Sequence, residues 1–224
     1  MVNQIFTKKI SKSYDYSLDE YFVAAAIRFD NGDATHAGIA ICIEGKLYIF
    51  HYAGAEIILE ELDEDKWYIE NKLTFIKPKE VDAFFVYCEN IQAEANPSYG
   101  FNYNGAYFLE NGNYFSEVED FQFMTCVGFC LAVITGAIEG HKYLMHEEWD
   151  MADHEKDAYF LEHIESLLDS VEIHVRNRIK SNLRRIYPID YFSASFVEVV
   201  PISKKAVDDI KQDVIDSIID KFPN

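Results

Sequence analysis

The stretch "THAGIAICIEGKLYIFHYAG", residues 35–54, holds two short apolar runs, 35–43 and 46–52, separated by the turn signal "EGK". Apolar runs of this length with a two-residue break between them read as the strands of a hairpin. Upstream, residues 21–29 form a third run, cut from the first by "DNGD", so the chain begins as an antiparallel meander. A histidine marks each strand of the hairpin near its open end: His36 opens one and His51 closes the other. Counting from a turn centred at Gly45, the two stand about nine and six residues away, so their opposition is approximate and calls for a bulge.

Working outward, "AEIILEEL" (55–62) adds a short strand, "KLTFI" (72–76) fits no single period, and "DAFFVYCENI" (82–91) suits a strand or a buried helix. Residues 95–114 place Asn, Gly and Pro between aromatics, which is the chemistry of a loop against an apolar surface and suits a cleft wall. In "MTCVGFCLAVITGA" (124–137) apolar residues occupy nearly every face from 126 to 138, the pattern of a helix buried on most sides. Gly128 permits close packing there. Residues 152–185 read as one long or broken amphipathic helix, with Phe160, Ile164, Leu167, Leu168, Val171, Val175 and Ile179 at three- and four-residue spacing, ended by Pro188. "YFSASFVEVV" (191–200) alternates as a strand, and 203–222 is a terminal helix with Ser203 as N-cap.

The expected class is therefore α+β: an antiparallel sheet packed on a central cysteine-bearing helix, with a helical C-terminal elaboration. Residues 1–140 form the core. Residues 141–224 form a helical extension with one strand, packed on the core as a single globular unit.

Composition excludes several functions. The 39 acidic and 20 basic residues give a net charge of -19, a field that repels phosphate backbones, so nucleic-acid binding is not expected. The same field attracts a basic protein partner. No segment reaches the roughly 18–20 apolar residues of a membrane span, and the N-terminus lacks the pattern of a signal peptide, so a cytoplasmic protein is expected. Cys42, Cys88, Cys126 and Cys130 show no CxxC spacing; free thiols are expected, without a cysteine metal site.

The two cysteines of "MTCVGFCLAV" differ in position. Cys126 follows Thr125 where polar sequence gives way to the helix, and a helix N-terminus stabilises a thiolate through its N–H groups and dipole. Cys130 lies one turn inward and lacks that help. A thiol nucleophile needs an imidazole base oriented by a third group, assembled by the fold and not by adjacency in sequence. His36 and His51 are placed for those roles.

The hairpin with its two histidines, continued as "THAGIAICIEGKLYIFHYAGAEIILEEL", together with the later "MTCVGFCLAVI", resembles circularly permuted papain-like enzymes. That group includes permuted relatives of the NlpC peptidases and amidases and the lecithin retinol acyltransferase-like enzymes, in which the His-bearing hairpin precedes the Cys helix. The resemblance implies Cys126 as nucleophile, His36 as base and later acid, and His51 as the group that orients His36. It implies no cofactor and a peptide, amide or acyl substrate. The N–H of Cys126 would serve one side of an oxyanion hole, with Gln122 as a candidate second donor.

Two rival readings stand beside it. One is a non-catalytic acidic interaction protein, such as a bacterial immunity or adaptor protein, in which the cysteines are core residues. The other is a metal-dependent hydrolase on "HKYLMHEEWDMADH" (141–154), where His141, His146, Glu147, Glu148, Asp150, Asp153 and His154 gather without the HExxH pattern. A solvated acidic segment explains that run better. His163 and His174 fall on a helix face that also holds core residues, and "RNRIKSNLRR" (176–185) is a basic island suited to a helix C-terminus or to internal ion pairs.

Overall fold

A computed structural model describes residues 6–7, 9–13, 20–63, 68–100, 105–116, 123–138, 140, 142–151, 155, 157–169, 171–181 and 184–223. Its main element is a six-stranded antiparallel sheet built from β1 (Ser11–Lys12), β2 (Phe22–Asp30), β3 (Asp33–Ile43), β4 (Lys46–Tyr52), β5 (Ile57–Glu61) and β6 (Ile69–Lys72), in the order β1-β6-β2-β3-β4-β5. The three-strand meander is set by two tight turns. Asn31 and Gly32, with φ of 52° and 84°, join Asp30 to its partner Asp33, and Glu44 and Gly45, with φ of 51° and 75°, join Ile43 to Lys46. Successive positive φ angles are the signature of the turn whose twist matches a hairpin.

Alternation along these strands buries both faces, and the two faces differ. Val23, Ala25 and Ile27 of β2, Ala37, Ile39 and Ile41 of β3, and Phe50 and Tyr52 of β4 belong to the main core. Ala24, Ala26, Ala40, Cys42, Leu47 and Ile49 form a second, smaller cluster with Tyr68 on the other side. A strand sends neighbouring side chains to opposite faces, so each position's cluster identifies the face it serves.

The main face is covered by helices. The run 82–91 falls in α1 (Val81–Glu94), and the 126–138 segment is α2 (Cys126–Ala137), with ten consecutive buried residues from Cys126 to Thr135. α2 packs on β3 and β4, and Phe129 meets Phe50 edge-on at 5.0 Å between ring centroids. At its far end Gly136 lies so close to the Phe108 carbonyl that a Cβ there would stand 2.2 Å from the oxygen. Phe108 belongs to β8 (Tyr107–Phe108), which pairs with β9 (Tyr114–Phe115); β7 (Ser98–Tyr99) pairs in parallel with β10 (Phe123–Met124) just before α2. The 95–114 segment thus contains short strands as well as loop.

Two expectations for the C-terminal part need correction. Residues 191–200 do not form a strand: α5 (Pro188–Ala194) takes their place. Pro188 begins this helix in its first turn, where a missing N–H costs nothing, and Asp190 accepts the Tyr187 N–H at 3.0 Å as part of a capping box. Aromatic and small residues at 191–196 mimic alternation although Tyr191, Phe192 and Ala194 are buried together on a helix. The amphipathic stretch takes the broken one of its two expected forms, as α3 (Ala158–Leu168) and α4 (Ile173–Lys180), but Pro188 ends neither of them. α6 (Lys204–Lys221) forms the terminal helix, with the Ser203 hydroxyl accepting the Ala206 N–H at 3.1 Å.

α5 and α6 supply Tyr191, Phe192, Val207, Val214 and Ile218 to the same core as the sheet and α2. Among the described residues, no helix is long and apolar enough to cross a membrane.

Candidate active site

Thr125 sits in extended backbone at the N-cap of α2, and its hydroxyl accepts the Gly128 N–H at 3.2 Å. That cap fixes Cys126 as the first helical residue, with free N–H groups of the first turn around its sulfur. The side chain is 9% exposed, whereas Cys130, one turn on, is fully buried. All four cysteines are free.

Burial raises the Cys126 thiol above its ordinary pKa. The backbone N–H groups of Ala37 and Val127, the charge of Arg185 and the residue's own N–H oppose that rise, because each favours the thiolate. Cys130 is pushed up far more strongly by its complete burial. The two thiols therefore differ in the sense that their helix positions require.

His36 Nε2 and His51 Nδ1 lie 2.9 Å apart, with the rings nearly perpendicular at 88°. The β3–β4 ladder pairs Ile39 with Phe50, so its continuation sets Gly38 opposite His51 and places His36 on the diagonal. Gly38 keeps the space between them open: a Cβ there would meet His51 Cβ at 3.4 Å and Ile49 Cδ1 at 2.8 Å. The bulge lies in the other hairpin, where the β2–β3 register shifts between Arg28–His36 and Phe29–Ala34. Burial, then the neighbouring charges of His51 and Arg28, lower the His36 pKa from 6.5 to about 4, so the ring is neutral at pH 7.

The cysteine and the imidazole pair approach β3 differently. Ala37, whose N–H favours the Cys126 thiolate, turns its side chain toward α2 and the main core. His36, the preceding residue, shares the opposite face with Gly38, Ala40 and the neighbouring His51. Cys126 and the His36 ring thus meet the same segment of strand from two sides, beyond the last β3–β4 pair. Among the described residues no hydrogen bond joins the sulfur to the ring.

Residues from the C-terminal half complete the surroundings. The Tyr191 hydroxyl donates to the Gly38 carbonyl at 2.9 Å and also meets the Cys130 sulfur, tying α5 to the strand that carries His36. Arg185, whose charge reaches Cys126 and Tyr99, is held by the buried Asp157 at 3.2 Å and stacks over Tyr187 at 4.3 Å. Sequence reasoning placed neither at the site. The basic island 176–185 was the available signal for Arg185; Tyr191 was hidden by the strand expectation. Gln122 lies outside the described residues.

His141, Asp153 and His154 lie outside the described residues, and His146 pairs with Glu147 at 3.5 Å. Among the described residues no group of three or more His, Cys, Asp or Glu side chains is placed to hold a metal ion. His163 and His174 are both exposed on α3 and α4. Comparison with protein-family profiles, with curated proteins and with solved structures found no match to this chain.

Proposed function

We propose that this chain is a cysteine-dependent hydrolase of an amide, peptide or isopeptide bond, or a related acyltransferase, of the circularly permuted papain-like type. The observation that carries the reading is the 2.9 Å imidazole pair on the strand whose next residue, Ala37, contacts the helix-start Cys126. With His36 Nε2 engaged by His51, the Nδ1 atom of His36 is the position left to accept a proton from sulfur. Protonated His36 donates from both nitrogens, so His51 must present an unprotonated Nδ1 at that stage. This is how His51 orients the base.

In this reading the thiol proton passes to His36 and the thiolate attacks the substrate carbonyl, whose oxyanion accepts the Cys126 N–H. The tetrahedral intermediate collapses, the leaving amine or alcohol takes the proton back from His36, and a thioacyl-enzyme remains. Water, deprotonated by His36, or an acceptor nucleophile then releases the acyl group and restores the thiol. Because the sulfur and the ring meet β3 from opposite faces, proton transfer in this reading requires the end of β3 beyond the Ile39–Phe50 pair to turn His36 toward α2 when substrate enters.

The near-complete burial of Cys126 and its raised pKa favour a second reading, a non-catalytic acidic protein that binds a basic partner. Iodoacetamide labelling followed by peptide mapping separates the two. The hydrolase reading expects Cys126, at the helix start, to react faster than the other cysteines, and turnover of an activated ester such as p-nitrophenyl acetate to be lost in both Cys126→Ala and His36→Ala. Equal slow reaction of all four cysteines, or ester turnover indifferent to either substitution, rejects it.

A further inference from the structure

The 95–114 segment brings a tyrosine to the neighbourhood of the Cys126 thiol. Tyr99 lies on β7, and the parallel β7–β10 pairing sets it opposite Met124, two residues before Cys126. The Gly100 N–H donates to the Met124 carbonyl at 3.1 Å, which locks that register. Residue 99 is therefore tied by its backbone to the strand that leads into α2.

The ring is held from the other side by β4. Tyr52, buried at the end of that strand, donates its hydroxyl to the Pro97 carbonyl at 2.8 Å and so anchors the entry to β7 next to His51. Its ring meets that of Tyr99 at 6.2 Å between centroids and 31° between planes. Gly54, with φ of 89°, lies beside the Tyr99 ring, where a Cβ would stand 3.4 Å from Cδ2. The half-buried ring is thus packed against the end of β4 while its backbone is bound beside the start of α2.

Electrostatics agree with this placement. Charge on Cys126 opposes ionisation of Tyr99, and Arg185 favours ionisation of both groups. Burial, then the Cys126 charge, raise the Tyr99 pKa above its ordinary 10, so the hydroxyl keeps its proton at neutral pH and remains a donor. Among the described side chains that reach the sulfur, Arg185 is engaged by Asp157 through Nε and Cys130 is fully buried, whereas Tyr99 is partly exposed. A hydroxyl proton also rotates to suit its acceptor.

We infer that the Tyr99 hydroxyl is the second donor of the oxyanion hole, acting with the Cys126 N–H. The inference rests on the hydrolase reading and names the side chain that stabilises its transition state. When sulfur attacks, the S–C bond forms and the carbonyl π pair moves on to oxygen. That oxygen is bonded to the attacked carbon, so donors gathered around the sulfur stand around it too. Tyr99 and the Cys126 N–H hydrogen-bond the oxyanion without transferring a proton; on collapse the pair returns to the C=O bond and the leaving group departs with the proton from His36.

Two reactions of one thiol test this role. Iodoacetamide reacts by displacement and develops no oxyanion, whereas p-nitrophenyl acetate passes through a tetrahedral oxyanion. Tyr99→Phe keeps the ring and removes the hydroxyl. It should lower kcat for p-nitrophenyl acetate about tenfold or more, with KM within about threefold and Cys126 alkylation within about twofold of the parent. Thermal melting confirms that the variant is folded. Should it fail that check, Tyr99→3-fluorotyrosine carries the comparison: the more acidic hydroxyl is the stronger donor, and kcat should rise about twofold with alkylation unchanged. A Tyr99→Phe kcat within about twofold of the parent, an equal loss of alkylation and turnover, or a fluorotyrosine without effect overturns the assignment and leaves the hydrolase reading standing. A parent protein without Cys126-dependent turnover overturns the hydrolase reading, and the assignment falls with it.

Discussion

His36 Nε2 and His51 Nδ1 stand 2.9 Å apart across two adjacent strands, although their residues are not directly opposed in the ladder. The diagonal contact is possible because Gly38, which shares their face, has no side chain to intervene. It couples the protonation of the two rings: charge on His51 is one of the causes that keep His36 at about 4. Replacing His51 by Ala should therefore raise the His36 pKa from about 4 toward 6.5, with burial still holding it below the ordinary value. A titration of His36 ring shifts by NMR checks this, and an unchanged midpoint would show that His51 exerts no electrostatic control.

The same group makes stability depend on acidity. His36 has a lower pKa folded, about 4, than its ordinary 6.5, so between these values the unfolded chain binds the extra proton. Stability due to this residue is intact above pH 6.5 and is lost as pH falls from 6.5 toward 4. After discounting for partial exposure, the loss is about 1–2 kcal/mol. Urea melts at pH 7 and 4.5 should show His36→Gln losing less stability than the parent over this window. Parallel losses in the two proteins would count against the assignment.

Much of the sheet was legible because local chemistry decides it. Asn31–Gly32 and Glu44–Gly45 each supply the positive φ pair of a tight hairpin, and the runs between them have strand length. Thr125 before an apolar run likewise marked the start of α2. The error at 191–200 arose because Tyr191, Phe192, Ala194 and Phe196 satisfy a two-residue and a helical period over so short a run. The helix wins there through Pro188 and the Asp190 cap. The imidazole pair could be anticipated from two strands meeting at a turn, but the approach of Ala37 and Arg185 to Cys126 depends on how α2 and the 184–188 segment pack, which no local pattern encodes.

Thr125 ties helix stability to the geometry of the thiol. Its hydroxyl holds the Gly128 N–H at 3.2 Å in buried surroundings. Thr125→Ala should cost about 1 kcal/mol, and Thr125→Ser should recover most of it because the acceptor oxygen is restored. Chemical denaturation measures both. Equal stability of the Ala and Ser variants would mean the cap contributes nothing.

Gly136 tests the packing at the other end of α2. An added Cβ would lie 2.2 Å from the Phe108 carbonyl oxygen and 2.2 Å from the Tyr87 hydroxyl, which itself donates to that carbonyl at 2.9 Å. Since the first obstacle is backbone, relief requires α2 to move away from β8. Gly136→Ala should destabilise by about 2–3 kcal/mol, despite the higher helix propensity of alanine. A gain in stability in urea denaturation would show that the close approach is absent.

The two cysteines of α2 give the sharpest separation between packing and chemistry. Cys130 is fully buried, its thiol is raised well above the ordinary value, and its sulfur contacts the Tyr191 hydroxyl. Cys130→Ala should cost about 1–2 kcal/mol through lost packing and leave the alkylation of Cys126 nearly unchanged. Cys126→Ala should remove the reactive site with less loss of stability, because the first-turn thiol is slightly exposed and less tightly enclosed. In the parent, the Cys126 thiol is raised by burial and His36 is neutral at pH 7, so no thiolate–imidazolium pair is populated without substrate. Its alkylation rate should consequently climb with pH beyond 9, with no plateau between 5 and 8. A plateau in that acidic-to-neutral window would reveal a preformed ion pair and overturn this ordering of proton transfer before attack.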